Sequence, residues 1–258
     1  MFNHEFLRPS WTPKPEPNSK VLIVGATGGI GKCLLDLLSP NEDCIIGAHG
    51  YTQVPNRNAD NVFILQKKLN TEDACKSLVE DFYKMANGIT SLVVLAGCIN
   101  HNMHWKDLSE QQWNDEMTMN LNIPFFLARA AIKLMKSNNE TSRIVLNGTE
   151  SSLHGGSPTS FPYGISKRGT ECMVQGLARE GANLGILVNG VRFGYITSGF
   201  HERWQGKTPG QLEERAEMVP LKRGGHPLEA AALITYLLSG WSRFITGQMI
   251  PLTGGDWL

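Results

Sequence analysis

Val21-Leu22-Ile23-Val24-Gly25-Ala26-Thr27-Gly28-Gly29-Ile30-Gly31-Lys32 reads as a buried strand that runs into a glycine-rich turn and opens a helix. Four aliphatic residues in a row, without a polar partner between them, suit a strand covered on both faces. The glycines let the backbone approach a pyrophosphate closely, and the free amides and dipole of the helix N-terminus favour its negative charge. Gly25, Thr27, Gly28, Gly29, Ile30 and Gly31 are therefore candidate cofactor-binding positions. Their spacing has two readings: Gly25, Gly29 and Gly31 fit Gly-x-x-x-Gly-x-Gly, whereas Gly25, Gly28 and Gly31 fit Gly-x-x-Gly-x-x-Gly. The turn by itself leaves both open.

Outward from this turn, short β-rich runs alternate with longer helical patterns, the signature of βαβ units around a parallel sheet. Strands are expected at Val21–Val24, Cys44–Ala48, Val62–Leu65, Ser91–Leu95, Arg143–Leu146, Ile186–Val191 and Gln248–Leu252. Helices are expected near Gly31–Leu38, Thr71–Met85, Ser109–Lys136, Tyr163–Asn183 and Pro227–Leu238. These elements use nearly all of the 258 residues, so the expected fold class is α/β, a single-domain doubly wound parallel sheet of about seven strands. No repeat or second domain remains to be placed. Substrate choice then falls to loops, above all a lid at about residues 194–220.

The ends and the bulk composition narrow the function classes. Pro9, Pro13, Pro15 and Pro17 are spaced too closely for helix, so residues 1–19 read as an extended or disordered arm, with the folded domain at 20–258. Lys and Arg number 24, as do Asp and Glu, which leaves no electrostatic footprint for nucleic acid or an anionic membrane. Five scattered cysteines, an odd number, point to a reducing compartment. With no membrane-length apolar run and no leader pattern, the expected location is cytoplasmic and the expected partner a small molecule.

Tyr163-Gly164-Ile165-Ser166-Lys167 places a phenol and an ammonium four residues apart, on one face of a helix. A phenol with its ordinary pKa near ~10 is a poor base at neutral pH, and a nearby cation favours the phenolate, so the pair suits acid/base work. Taken alone, Tyr-x-x-x-Lys is common. In company with Met119-Asn120-Leu121-Asn122, Arg143-Ile144-Val145, Val188-Asn189-Gly190-Val191-Arg192-Phe193-Gly194, Pro227-Leu228-Glu229-Ala230-Ala231, Ile245-Thr246-Gly247-Gln248 and Leu252-Thr253-Gly254-Gly255, it resembles the short-chain dehydrogenase/reductase family from about Lys20 to Leu258. The length, the Asn120 motif and the Ile-Thr-Gly-Gln ending resemble the compact branch, like its 3-oxoacyl-carrier-protein reductases, and so favour the Gly25, Gly29, Gly31 reading.

The resemblance implies an NAD(P)-dependent oxidoreductase that moves a hydride between a nicotinamide and a carbonyl or secondary alcohol. It implies Tyr163 as general acid/base, Lys167 and Asn120 as its support, with Asn120 at the position that kinks its helix and helps hold a proton-relay water, and Ala96, Gly97, Gly194, Ile196 and Ser198 beside the cofactor. It further implies a homotetramer or homodimer built on the Ser109–Lys136 and Tyr163–Asn183 helices, and no metal. Three departures stand out. Leu95 precedes Ala96-Gly97 where the family usually has Asn. Thr149 holds the usual catalytic-serine place when counted from Arg143, with Ser151 in reserve. The second strand ends His49-Gly50-Tyr51 with no acid, so His49 and Arg57 could meet a phosphate and NADP(H) is favoured over NAD(H), although Gly28 and Lys68 stand where relatives carry other contacts. The alternative is a catalytically weakened cofactor-binding regulatory or scaffold protein of the same fold. A cofactor-recycling epimerase or dehydratase is a third reading. His101 and His104, three apart, lack partners for a metal and, with Trp105, border the expected substrate loop.

Overall fold

The computed structural model describes residues 13–56, 59–135 and 141–256. Its centre is a sheet of seven parallel strands: β1 (Lys20–Val24), β2 (Ile45–Gly50), β3 (Val62–Gln66), β4 (Ser91–Val94), β5 (Ser142–Thr149), β6 (Ile186–Phe193) and β7 (Met249–Leu252). Their order is β3-β2-β1-β4-β5-β6-β7. The chain thus winds outward from β1 in one direction, then restarts at β4 in the other. That reversal opens a crevice beyond the carboxyl ends of β1 and β4, where ligands bind in sheets of this kind.

Eight α-helices are described. On one face α2 (Glu72–Ala86), α4 (Ile123–Met135) and α5 (Phe161–Gly181) enclose a core that includes Leu22, Phe82, Leu92, Leu127 and Ile144. On the other, α1 (Gly29–Leu38) and α8 (Pro227–Leu237) pack with Ile23, Leu34, Ile46, Val145 and Ile234. The continuous aliphatic runs follow from this layering, because odd and even residues of β1 serve different cores. Among the described residues no helix is long and apolar enough to cross a membrane.

The long helical stretch expected at Ser109–Lys136 is instead broken into α3 (Glu110–Met117), a π-helical turn at Thr118–Asn122, and α4; Lys136 lies outside the described residues. The Ile123 N–H reaches back five residues to the Thr118 carbonyl. Pro124 has no N–H to offer the Asn120 carbonyl four residues before it, which is the local reason the ladder changes step here. The lid also holds more structure than expected. Beside α7 (Pro209–Met218) it carries α6 (Phe200–Gln205), bracketed by Gly199 and Gly206 in left-handed conformation at φ 80° and 64°.

The arm differs from expectation where it is described. Residues 1–12 lie outside the described residues, but Pro13, Pro15 and Ser19 are buried. The Glu16 N–H donates to the Leu238 carbonyl, and its carboxylate meets the guanidinium groups of Arg143 and Arg243 at 3.0 and 2.8 Å. Arg143 is 2% exposed on β5, so the arm supplies the counter-charge that a buried guanidinium needs, and this is why its last residues are docked.

Candidate active site

The turn after β1 is shaped by backbone crowding. Gly25 adopts φ 93°, and its N–H and that of Ala26 donate to the His49 carbonyl at 3.3 and 2.9 Å. A Cβ on Gly25 would lie 2.8 Å from the Ala96 nitrogen, one on Gly29 would lie 2.6 Å from the Ser198 carbonyl oxygen, and one on Gly31 would strike the Gly25 carbonyl oxygen. Gly28 differs: at φ −71° its Cβ would have no neighbour closer than 3.7 Å. The geometry therefore requires glycine at 25, 29 and 31, and the Gly-x-x-x-Gly-x-Gly reading is the one the packing enforces. Gly28→Ala is expected to unfold at the parent's temperature within about 2 °C. Gly31→Ala is expected to lose about 1–3 kcal/mol and its cofactor affinity, as measured by thermal melts and fluorescence titration.

The first turn of α1 has no side-chain cap and no acidic residue. Its amides face a cleft of about 270 Å³ walled by Gly25, Thr27, Gly28, Gly29, Ile30 and Gly31 on one side. Ala96, Gly97, Gly194, Ile196 and Ser198 continue the same wall, and Thr149, Ser151 and Tyr163 stand across it. An uncapped helix start, a backbone cradle with no room for side chains and a cleft at the reversal of strand order fit a dinucleotide.

Tyr163 and Lys167 occupy consecutive turns of α5 and both face inward, 9% and 0% exposed. The ammonium lies 5.7 Å from the phenol ring centre and donates to the Asn147 side-chain oxygen at 2.9 Å and backbone oxygen at 3.2 Å. Burial pushes the Lys167 amine down to about 7. Burial also raises the Tyr163 phenol well above its ordinary value, reinforced by Cys98, Glu116 and Glu150. Both shifts have one origin: the pocket penalises charge on either member.

Asn120, fully buried in the π turn, ties that turn to the end of β4. Its Oδ1 accepts from the Cys98 N–H at 3.0 Å, and its Nδ2 donates to the Cys98 carbonyl at 2.9 Å and to the Glu116 carboxylate at 3.1 Å. Gly97 lies where these groups meet: a Cβ there would stand 3.2 Å from Asn120 Oδ1 and 3.3 Å from Lys167 Nζ. Thr149 ends β5 and caps the 3₁₀ turn Glu150–Leu153, with its hydroxyl oxygen accepting from the Ser151 N–H at 3.4 Å. Phe200 of the lid lies over the phenol, ring centres 5.7 Å apart.

Other expected residues stand elsewhere. His49 is 4% exposed and is not on the cleft wall; its Nε2 pairs with the Lys67 carbonyl at 2.8 Å, and burial lowers its pKa, leaving a neutral ring unsuited to a phosphate. The reason is register: His49 is the β2 residue paired with Leu65 inside the sheet edge. Arg57 lies outside the described residues. His101 contacts Asp115 at 3.2 Å, His104 accepts from the Lys106 N–H, and Trp105 is half exposed; none of the three is on the cleft wall.

Two buried carboxylates and one half-buried amide were not singled out from the sequence. Glu116, 1% exposed, accepts from the His101 N–H at 2.8 Å as well as from Asn120, and burial raises its pKa against those bonds. It sits in a mostly polar helix, Glu110–Met117, where one more acid stands out from no pattern. Glu150, also buried, follows Thr149 directly. Asn147 did leave a signal, as the first polar residue after Ile144-Val145-Leu146.

Known proteins of similar sequence and structure share this fold. The family model described as enoyl-(acyl carrier protein) reductase matches residues 50–256. The 3-oxoacyl-(acyl-carrier-protein) reductase FabG of Rickettsia typhi is 31% identical over 240 residues, 91% of this chain and 95% of that protein. Nodulation protein G of a Rhizobium species is 29% identical over 242 residues, 92% and 96% of the two chains. Among solved structures, a short-chain dehydrogenase/reductase of the glucose/ribitol dehydrogenase type from Brucella melitensis superposes with a TM-score of 0.83 at 24% identity, covering 96% of this chain and all of that one.

Proposed function

Since the chain belongs to the short-chain dehydrogenase/reductase family and is an NAD(P)-dependent oxidoreductase, we propose that Tyr163 is its general acid, that it works in the direction of carbonyl reduction, and that it takes NADP(H) in preference to NAD(H). The observation that carries this reading is the buried Tyr163–Lys167 pair beside the glycine cradle. A phenol whose pKa is raised by burial holds its proton at neutral pH and is ready to give it to a substrate oxygen. The nicotinamide, when bound, supplies the hydride.

The chain's own groups divide the remaining work. The amides at the start of α1 would hold the pyrophosphate, and Lys167, buried behind the cleft wall next to Tyr163, would hold the nicotinamide ribose. Thr149 orients the substrate carbonyl: its oxygen already accepts from Ser151, so its proton is the one free to donate. Asn120 keeps the end of β4 and the π turn in register, and Phe200 excludes water from the phenol. The preference for NADP(H) rests on the end of β2, His49-Gly50-Tyr51, which presents no carboxylate to repel a ribose phosphate. A homo-oligomer built on α4 and α5 belongs to the same proposal; Phe161 and Ile165 stand exposed on α5.

The test is oxidation of NADPH against a panel of ketones, sugars and acyl thioesters. Turnover is expected with NADPH at least about tenfold above NADH. Thr149→Val is expected to lower kcat by about 10²-fold, while Ser151→Ala stays within about threefold of the parent. The reverse ranking would move the carbonyl-orienting role to Ser151. Binding of NADPH without oxidation across the panel would favour the scaffold reading.

A further inference from the structure

We propose that Asn147 is a positioning residue of the catalytic centre, its side-chain amide holding Lys167 in place at the carboxyl end of β5. The inference rests on the reading of Lys167 given above and extends it to a residue outside the Tyr163, Lys167, Asn120 and Thr149 set. Asn147 interrupts the buried run Ile144-Val145-Leu146 at the point where β5 reaches the cleft, and it is on the cleft wall. One step before it, Leu146 pairs with Val94, the last residue of β4, and the residue that follows there is Leu95, which has no polar group to share the task.

The ammonium has few other partners. It donates twice to Asn147, and among the described residues no carboxylate pairs with it. The titratable groups around it are Tyr163 on its own helix and Cys98 after β4, with Glu116 from α3 and Glu150 after β5 acting on the phenol. The amide can face it in one sense only, because an NH₂ group turned toward an ammonium would oppose donor to donor. With Oδ1 on Lys167, Nδ2 turns toward Gly97, where a Cβ would lie 3.4 Å from it. Gly97 thus leaves room for a junction of three side chains, Asn120, Asn147 and Lys167. A neutral acceptor at 2.9 Å favours the charged amine without neutralising it, which a carboxylate would do.

The test reads the titration of Lys167 through the pH dependence of NADPH binding, followed by fluorescence between pH 5.5 and 9.5. The parent is expected to show an inflection near 7. Asn147→Ala removes the acceptor and moves the inflection down by about 1 pH unit; Asn147→Asp adds a charge and moves it up by at least about 1 unit. A side chain that merely packed would leave the Asn147→Ala inflection where the parent has it, so an unchanged inflection in that variant, or a shift of both variants in the same direction, overturns the proposal. Should Asn147→Ala fail to fold, the near-isosteric Asn147→Leu, which also lacks the acceptor, takes its place with the same downward shift expected and the same unchanged inflection overturning the proposal. Lys167→Met is the control and loses the inflection. If it keeps it, the reading of Lys167 itself falls and this inference with it, whereas loss there with no shift in the Asn147 variants overturns this inference only.

Discussion

Tyr163→Phe is expected to lower turnover by about a thousandfold or more while leaving the NADPH dissociation constant within about threefold of the parent. The substitution removes one oxygen and the proton it carries. The ring, which packs beneath Phe200 and before Lys167, stays. Because the phenol is raised in pKa by burial, it stays protonated across the neutral range and its loss withdraws the acid from the carbonyl oxygen. Steady-state kinetics on the best substrate of the panel, with fluorescence titration of the cofactor, separates the two effects. Full activity in the variant would remove Tyr163 from the chemistry, and a parallel loss of cofactor binding would mark a structural role instead.

Lys167→Met is expected to abolish most turnover and yet to raise the melting temperature. An amine with no exposed surface, held by one amide, is costly to bury, whereas methionine of similar length fills the same space. Leaving the Asn147 oxygen without its donor costs about 1–3 kcal/mol, less than the several kcal/mol of desolvating a cation. The pH dependence gives a sign that can be checked. With the Lys167 amine near 7 in the folded chain and at its ordinary 10.5 when unfolded, the unfolded state holds the extra proton across that window, so stability climbs as pH rises from 7. Cys44, Cys75 and Cys98 act oppositely: burial pushes their thiols up to about 12 from 9, so the stability they contribute is lost as pH rises through 9 toward 12. The parent's melting temperature is therefore expected to rise from pH 7 to 9 and fall beyond. The variant should lack the rise; a climb of equal size in Lys167→Met would contradict the assignment.

Much of this arrangement could be read from the chain because the relevant residues are forced by backbone geometry. Val21–Val24 followed by Gly25, Gly29 and Gly31 determines both a doubly covered strand and a turn without room for Cβ atoms. Tyr163 and Lys167 share a helix face at a spacing that any helix would bring together. The apolar periodicity of Ser109–Lys136 showed no break by itself, but the Asn120 motif implied a kink there, and the ladder does change step at Thr118–Asn122, just before Pro124. His49 shows the opposite limit: its place near the end of β2 suggested a cofactor contact, but its surroundings are set by pairing with β3, whose residues lie sixteen positions away. Glu116 and Asn147 became functional candidates through partners brought by distant segments, the His101 N–H from the loop after β4 and Lys167 from α5. Such residues are set by tertiary approach, which local pattern does not record.

On the function proposed above, this chain reduces a carbonyl with hydride from NADPH and a proton from Tyr163. The most direct measurement is mass spectrometry of the alcohol formed from NADPH carrying deuterium at the transferable position. One deuterium at the carbinol carbon, in product made by the parent and not by Tyr163→Phe, is the result expected. Bound NADPH with no deuterated alcohol from any ketone, sugar or acyl thioester would contradict it.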